Sequence, residues 1–163
     1  MSRGFSFGLF AFGLLALLAG TPLSGTEAAA TPDAEVIVIV DRFHEALRSL
    51  DRDKALAVLD PQVRIFEGGG AETSRDEYAA HHLASDMAFI AATRTEVLDR
   101  KVTVAGDAAW VLTLSKTTGS FRDPDVSSRG AETMVLQRTA AGWRIVHVHW
   151  SSGSAPAESS LKP

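Results

Sequence analysis

The sequence predicts a single α+β domain, with about three N-terminal helices packed on a strongly curved, mostly antiparallel sheet to make a cone-shaped fold. Three observations carry this expectation. Apolar residues recur at helical spacing between positions 32 and 92, and strand-type stretches then fill positions 94 to 152. The last of these flank the break Thr139-Ala140-Ala141-Gly142, which reads as an antiparallel hairpin. Helices first and strands afterwards is the order of a sheet that gathers its helices on one face.

Residues 1–30 are read apart from the fold. A basic start at Arg3 precedes the apolar run Phe5–Ala19, then Gly20-Thr21-Pro22 and a small-residue stretch ending Ala28-Ala29-Ala30, the order of a cleavable secretory signal. The run is about 15 residues, short of the roughly 20 that span a bilayer. A periplasmic or secreted domain is expected, without stable membrane association after cleavage. Removing Arg3 and Glu27 leaves the formal net charge at −4, with no basic stripe for nucleic acid. The 163 residues contain no cysteine, so neither a lipid-anchoring thiol nor a disulfide is expected.

Within the expected domain, 31–151, Val36, Val40, Phe43, Leu47 and Leu50 mark one face of a helix from Pro32 to Leu50, opened by Thr31 and Pro32. Asp51 caps a short helix, Lys54–Leu59, which Asp60-Pro61 ends. A strand over Val63–Glu67 runs into Gly68-Gly69-Gly70, a flexible rim without the Lys-Ser/Thr of a phosphate loop. Ser74 and Glu77 form a capping box for a third helix that continues to Ala92. Strands over Arg94–Val104 and Ala109–Thr118, a loop over Gly119–Ser127, and the hairpin follow. Positions 152–163, rich in Ser, Gly, Ala and Pro, are expected to be a flexible tail.

Two segments carry a family likeness: Phe43-His44-x-Ala46-Leu47…Asp51, and Gly142-Trp-Arg-Ile-Val-His-x-His149 as the final strand. With the element order, they resemble the nuclear transport factor 2-like superfamily in its SnoaL-like branch. The closing segment Glu132-Thr133-x-Val135…Trp143…Val146-His147-x-His149…Gly153-x-Ala155-Pro156 is also similar to the association domain of calcium/calmodulin-dependent kinase II. The resemblance implies a cone-shaped pocket and a homodimer through the sheet, but no particular activity. Members include isomerases, cyclases, hydrolases, dehydratases and ligand binders, so function must come from the site. The arginines that line the association domain's pocket fall on Met134 and Trp150 here, which points to a more apolar ligand. The isomerases' set of one tyrosine and two pocket acids is not found at matching places.

The third helix carries the least ordinary feature. Ala79, Leu83, Met87 and Ile90 form its apolar stripe, with His82 and Asp86 inside that arc and Tyr78 and Phe89 at its margin. His82 and Asp86, four apart, are expected to meet. They supply polar contacts to a bound ligand together with Tyr78, or form an acid–base pair with Tyr78 steadying an oxyanion, or satisfy one another structurally. Trp110, alternating with Leu112 and Leu114, is expected as cavity wall or core, and joins Met134 and Trp150 around the ligand. His147 and His149 share a strand face with Trp143 and Ile145; they are expected at the dimer interface, or on a metal with Glu132. Glu67 is a mouth acid or a solvated strand end, and His44 and His81 are expected to be solvent-exposed. No cofactor is expected. The function anticipated is binding of a small, largely apolar ligand, with an isomerase, lyase or hydrolase using His82 and Asp86 as the enzymatic alternative, and a metal-binding or purely interaction domain as a further one.

Overall fold

Residue Thr31 opens the first helix with its hydroxyl, which accepts from the Ala34 amide at 3.3 Å, and Pro32 takes the first turn, where its missing N–H costs nothing. This computed structural model describes residues 31–123 and 125–155, so the expected signal segment and positions 156–163 lie outside the described residues. Helix α1 (Pro32–Arg48) wholly buries Val36, Val40, Phe43 and Leu47 against the sheet. Asp51 caps α2 (Arg52–Val58) by accepting from the Lys54 amide. Strand β1 (Leu59–Glu67) starts earlier than expected, because Leu59 already pairs with Ile145.

A short strand unforeseen from the sequence, β2 (Gly70–Glu72), folds back on β1. Gly68 and Gly69, at φ 57° and 84°, supply the two left-handed residues that such a tight hairpin turn requires. The glycine run is therefore a turn of defined shape. Ser74 then starts α3 (Arg75–His81), its hydroxyl accepting from the Glu77 amide, while the Glu77 carboxylate reaches back to the Thr73 amide and hydroxyl. The single helix expected through Ala92 divides at His82, which ends α3 at φ −104°, and α4 (Leu83–Ala92) follows directly. The break falls where His82 swings onto Glu72.

Four long strands complete the chain: β3 (Thr93–Ala105), β4 (Ala108–Ser120), β5 (Asp125–Thr139) and β6 (Gly142–Ser154). The loop expected over Gly119–Ser127 shrinks to the four residues between Ser120 and Asp125, and β6 runs through Ser152 to Ser154, into the expected tail. Sheet order is β2-β1-β6-β5-β4-β3, antiparallel throughout except between β1 and β6. Helices on one side of a curled, mostly antiparallel sheet make the cone fold that the sequence predicts.

One irregularity decides which side chains enter the cone. In β6 the register slips between the pairs Leu136↔Ile145 and Val135↔His147, leaving Val146 as the extra residue of a β-bulge. Trp143 and Ile145 before it, and Val148 after it, are all buried on the inner face. Strict alternation would have placed Val148 and Trp150 opposite Trp143; the bulge unites them. His147 and His149 consequently turn outward. At the other end of α1, Glu35 accepts from the Trp143 indole and pairs with Arg138, whose guanidinium covers the Trp143 ring.

The end of α1 generates a prediction. Asp51 N–H bonds to Ala46 O and Leu50 N–H to Leu47 O, which is the Schellman arrangement, with exposed Leu50 at φ 58° where glycine is favoured. Leu50→Gly should raise stability by about 0.5–1 kcal/mol in urea unfolding, because a left-handed leucine costs roughly that much or more.

Candidate functional site

Register places one polar row across the inner face of five strands. Arg100 on β3 lies opposite Thr113 on β4, Thr113 opposite Glu132 on β5, Glu132 opposite Trp150 on β6, and Trp150 beside Glu67 on β1. The adjacent inner row, Val102, Val111, Met134, Val148 and Ile65, is apolar and mostly buried. The concave surface thus changes from hydrocarbon to polar within one residue repeat.

Glu132 is the hub. Its Oε2 accepts from both His44 Nε2 and the Trp150 indole N–H at 2.8 Å, and the Trp150 ring stacks on Phe43 with an interplanar angle of 9°. Burial pushes this carboxyl up, but the His44 hydrogen bond and charge, the indole and the nearby Arg100 outweigh that and hold it below the usual carboxylate range. Arg100 itself reaches across to Asp41 on α1 at 2.7 Å. Three buried atoms in this corner have no hydrogen-bond partner among the described residues: Glu132 Oε1, Thr113 Oγ1 and Arg100 Nε. They belong to register neighbours, and they offer an acceptor, a hydroxyl and a donor.

The α3–α4 corner supplies a second group. Tyr78, wholly buried, donates its hydroxyl to Asp86 Oδ2 at 2.8 Å. Burial raises the Asp86 carboxyl to about 6; the Tyr78 hydrogen bond and His82 oppose the rise, while the charges of Glu67 and Glu72 add to it. Tyr78 is pushed up as well, first by burial and then by Asp86, so it stays a hydroxyl donor. Glu67, at the rim, is raised by its partial burial against the opposing influence of His82. A carboxyl poised near neutrality beside a fixed donor is able to exchange a proton with a bound molecule.

These positions alter several expectations. His82 meets Glu72, not Asp86, because the helix breaks at His82; the partner of Asp86 is Tyr78, whose hydroxyl is thereby committed to the carboxylate. Trp110, Leu112 and Leu114 stand on the outer face of β4, 38–52% exposed, while Ala109, Val111 and Thr113 point inward, so Trp110 is no cavity wall. Met134 is wholly buried core below the polar row, and Trp150 lies in the row itself. His147, whose Nδ1 donates to Arg64 O at 2.9 Å, and His149 face away from Glu132, so these three cannot share a metal. His44 is drawn inward to Glu132. Arg100, Thr113 and Glu72 went unremarked in the sequence; the alternation that makes Val102 and Val111 inward was the available sign for the first two. A separate open groove of about 450 Å3 between α2 and α3, with Arg52, Asp53, Arg75 and Asp76 on its walls, contributes none of these groups.

A cone of helices packed on a curled, mostly antiparallel sheet is the fold of the nuclear transport factor 2-like superfamily. Residues 36–156 match the SnoaL-like domain, and the chain belongs to that family. Its structure is similar to that of a provisionally assigned ketosteroid isomerase from Shewanella frigidimarina, at 35% identity over 73% of this chain and 96% of that one, with a TM-score of 0.71. It is likewise similar to the CaMKII hub of S. rosetta, at 26% identity over 76% and 98% of the two chains, TM-score 0.64. A provisionally assigned dehydratase from Streptomyces avermitilis shares the fold at 21% identity over 77% and 96%, TM-score 0.61. No match is found among curated proteins.

The raised Asp86 carboxyl has a pH consequence. Between its unfolded value near 4 and about 6, the native chain holds a proton that the unfolded chain has released, so this group's contribution to stability falls as pH rises through that window. Urea unfolding from pH 4 to 7 should show wild type losing stability relative to Asp86→Asn. Parallel curves would mean that Asp86 titrates normally.

Proposed function

We propose that this is an exported small-molecule-binding domain whose cone mouth takes a compact, largely apolar ligand carrying one polar group. The observation that carries this reading is the trio of adjacent buried atoms without partners, Glu132 Oε1, Thr113 Oγ1 and Arg100 Nε, set against an apolar wall. Leaving such groups unpaired costs on the order of 1–3 kcal/mol each. A hydroxyl or carboxamide, which both donates and accepts, would match the set. Trp150 and Phe43 would supply the flat surface beside it. Calorimetric titration with fused-ring alcohols, ketones and carboxamides tests this. The expected result is binding by at least one class, weakened about tenfold in Thr113→Val and in Glu132→Gln and unchanged in Trp110→Ala. Binding by none, or undiminished binding in both row variants, would exclude the reading.

A second reading is favoured by the Tyr78–Asp86 hydrogen bond and the raised Asp86 carboxyl: proton transfer at a carbon next to a carbonyl, with Asp86 as the base and Tyr78 orienting it. The similar Shewanella structure's assignment as a ketosteroid isomerase agrees with it. Deuterium exchange into a bound fused-ring ketone, followed by NMR, should fall at least a hundredfold in Asp86→Asn.

The apolar outer face, Trp110, Leu112 and Leu114, suits a second copy of the chain. The N-terminal sequence pattern supports a periplasmic or secreted location for it. Native mass spectrometry of secreted or periplasmic protein should show dimers of chains starting near Thr31, and monomers for Leu112→Lys.

A further inference from the structure

We propose that Glu72, Glu77 and His81 form a site for a divalent transition-metal ion of the zinc type, at the corner between β2 and α3 and separate from the polar row. One donor atom from each of the three lies within 4.8 Å of the others. Glu72 ends β2 and is only 6% exposed, yet its Oε2 has no hydrogen-bond partner among the described residues. A buried carboxylate oxygen without a donor is costly, and a cation is the group that most directly relieves it.

The geometry around that oxygen has the form of a coordination site. His82 Nδ1 occupies the other oxygen, Oε1, and so orients the carboxylate, as ligating carboxylates are commonly oriented by a hydrogen bond of their own. Oε2 then faces His81 Nδ1 at 3.4 Å, a separation counted as an ion-pair contact but without hydrogen-bond geometry. Two ligands of one tetrahedral ion with bonds near 2.1 Å stand about 3.4 Å apart. The pair already has the spacing of one edge of such a site.

Local structure brings in the third ligand. Glu77 and His81 are four apart on α3 and so share a face. Thr73, through its amide and hydroxyl, holds one Glu77 oxygen at 2.7 and 2.8 Å and fixes the carboxylate beside Glu72. Glu77 and His81 are more exposed than Glu72, so an ion has a path from solvent and a position left for water. Two carboxylates and an imidazole suit Zn2+, or Co2+ and Ni2+ as substitutes. The imidazole disfavours Mg2+ and Ca2+, and the lack of sulfur disfavours Cu+.

The test uses the purified untagged chain, stripped with chelator and titrated with ZnCl2 by calorimetry, and with CoCl2 by absorption spectroscopy. The expected result is one Zn2+ per chain at micromolar affinity, a rise in melting temperature, and a visible Co2+ band of low-coordinate type. His81→Ala, on the exposed side, should weaken binding at least tenfold with an unchanged circular dichroism spectrum, and Glu72→Gln should do the same if it folds. The double variant His147→Ala/His149→Ala should bind like wild type. No uptake of Zn2+ at millimolar concentration would overturn the proposal. So would binding that survives His81→Ala, or binding that is lost in the His147/His149 variant.

Discussion

The extra residue at Val146 is the constraint on which the interior depends. Strand β6 lies near the middle of the sheet, between β1 and β5, so its phase is felt on both sides. With a regular strand, either Trp143 and Ile145 or Val148 and Trp150 would face solvent, and half of the strand's apolar surface would be lost from the core. The bulge lets all four look toward the helices. Trp143 is thereby free to meet Glu35 at one end of α1, and Trp150 to stack on Phe43 and donate to Glu132 further along the same helix.

Polar groups inside an apolar cone need compensation, and Glu132 in the sheet's row and Asp86 at the α3–α4 corner obtain it differently. Glu132 stays charged because two donors, His44 and Trp150, converge on a single oxygen and Arg100 is close by. Asp86 has one donor, Tyr78, and the acids Glu67 and Glu72 as neighbours, so its proton is retained to higher pH. The inward-facing groups therefore include a fixed anion on the sheet and a protonatable carboxyl on the helices. That contrast is what a site needs in order to grip a polar group at one point and exchange a proton at another. The unpartnered atoms of Arg100, Thr113 and Glu132 sit beside the fixed anion, which is why ligand binding is the primary reading and proton transfer the second.

Much of this was legible from pattern. The α1 face is legible at Val36, Val40, Phe43 and Leu47, since helix burial follows a 3.6-residue period, but not at Leu50, which lies past the helix end and is exposed. The Ser74 cap and the four-strand meander were legible for similarly local reasons. Asp86 falls inside the apolar arc of the sequence and Tyr78 at its margin, yet Tyr78 is the wholly buried one and His82, inside the same arc, is more than half exposed. Alternation within β3 and β4 signals that Arg100 and Thr113 face inward, but only the register across three strands makes them a set with Glu132.

The sequence alone determined the fold class, the helix caps and the apolar periodicities, because each depends on residues a few positions apart. Tertiary structure decided the rest. It placed the break at His82 where Glu72 could capture the imidazole, turned Trp110 outward, and set His147 and His149 on the side away from Glu132. These outcomes depend on strand register and on partners distant in the chain. A one-residue slip in a strand reverses every side chain beyond it, and alternation within that strand cannot reveal where the slip occurs.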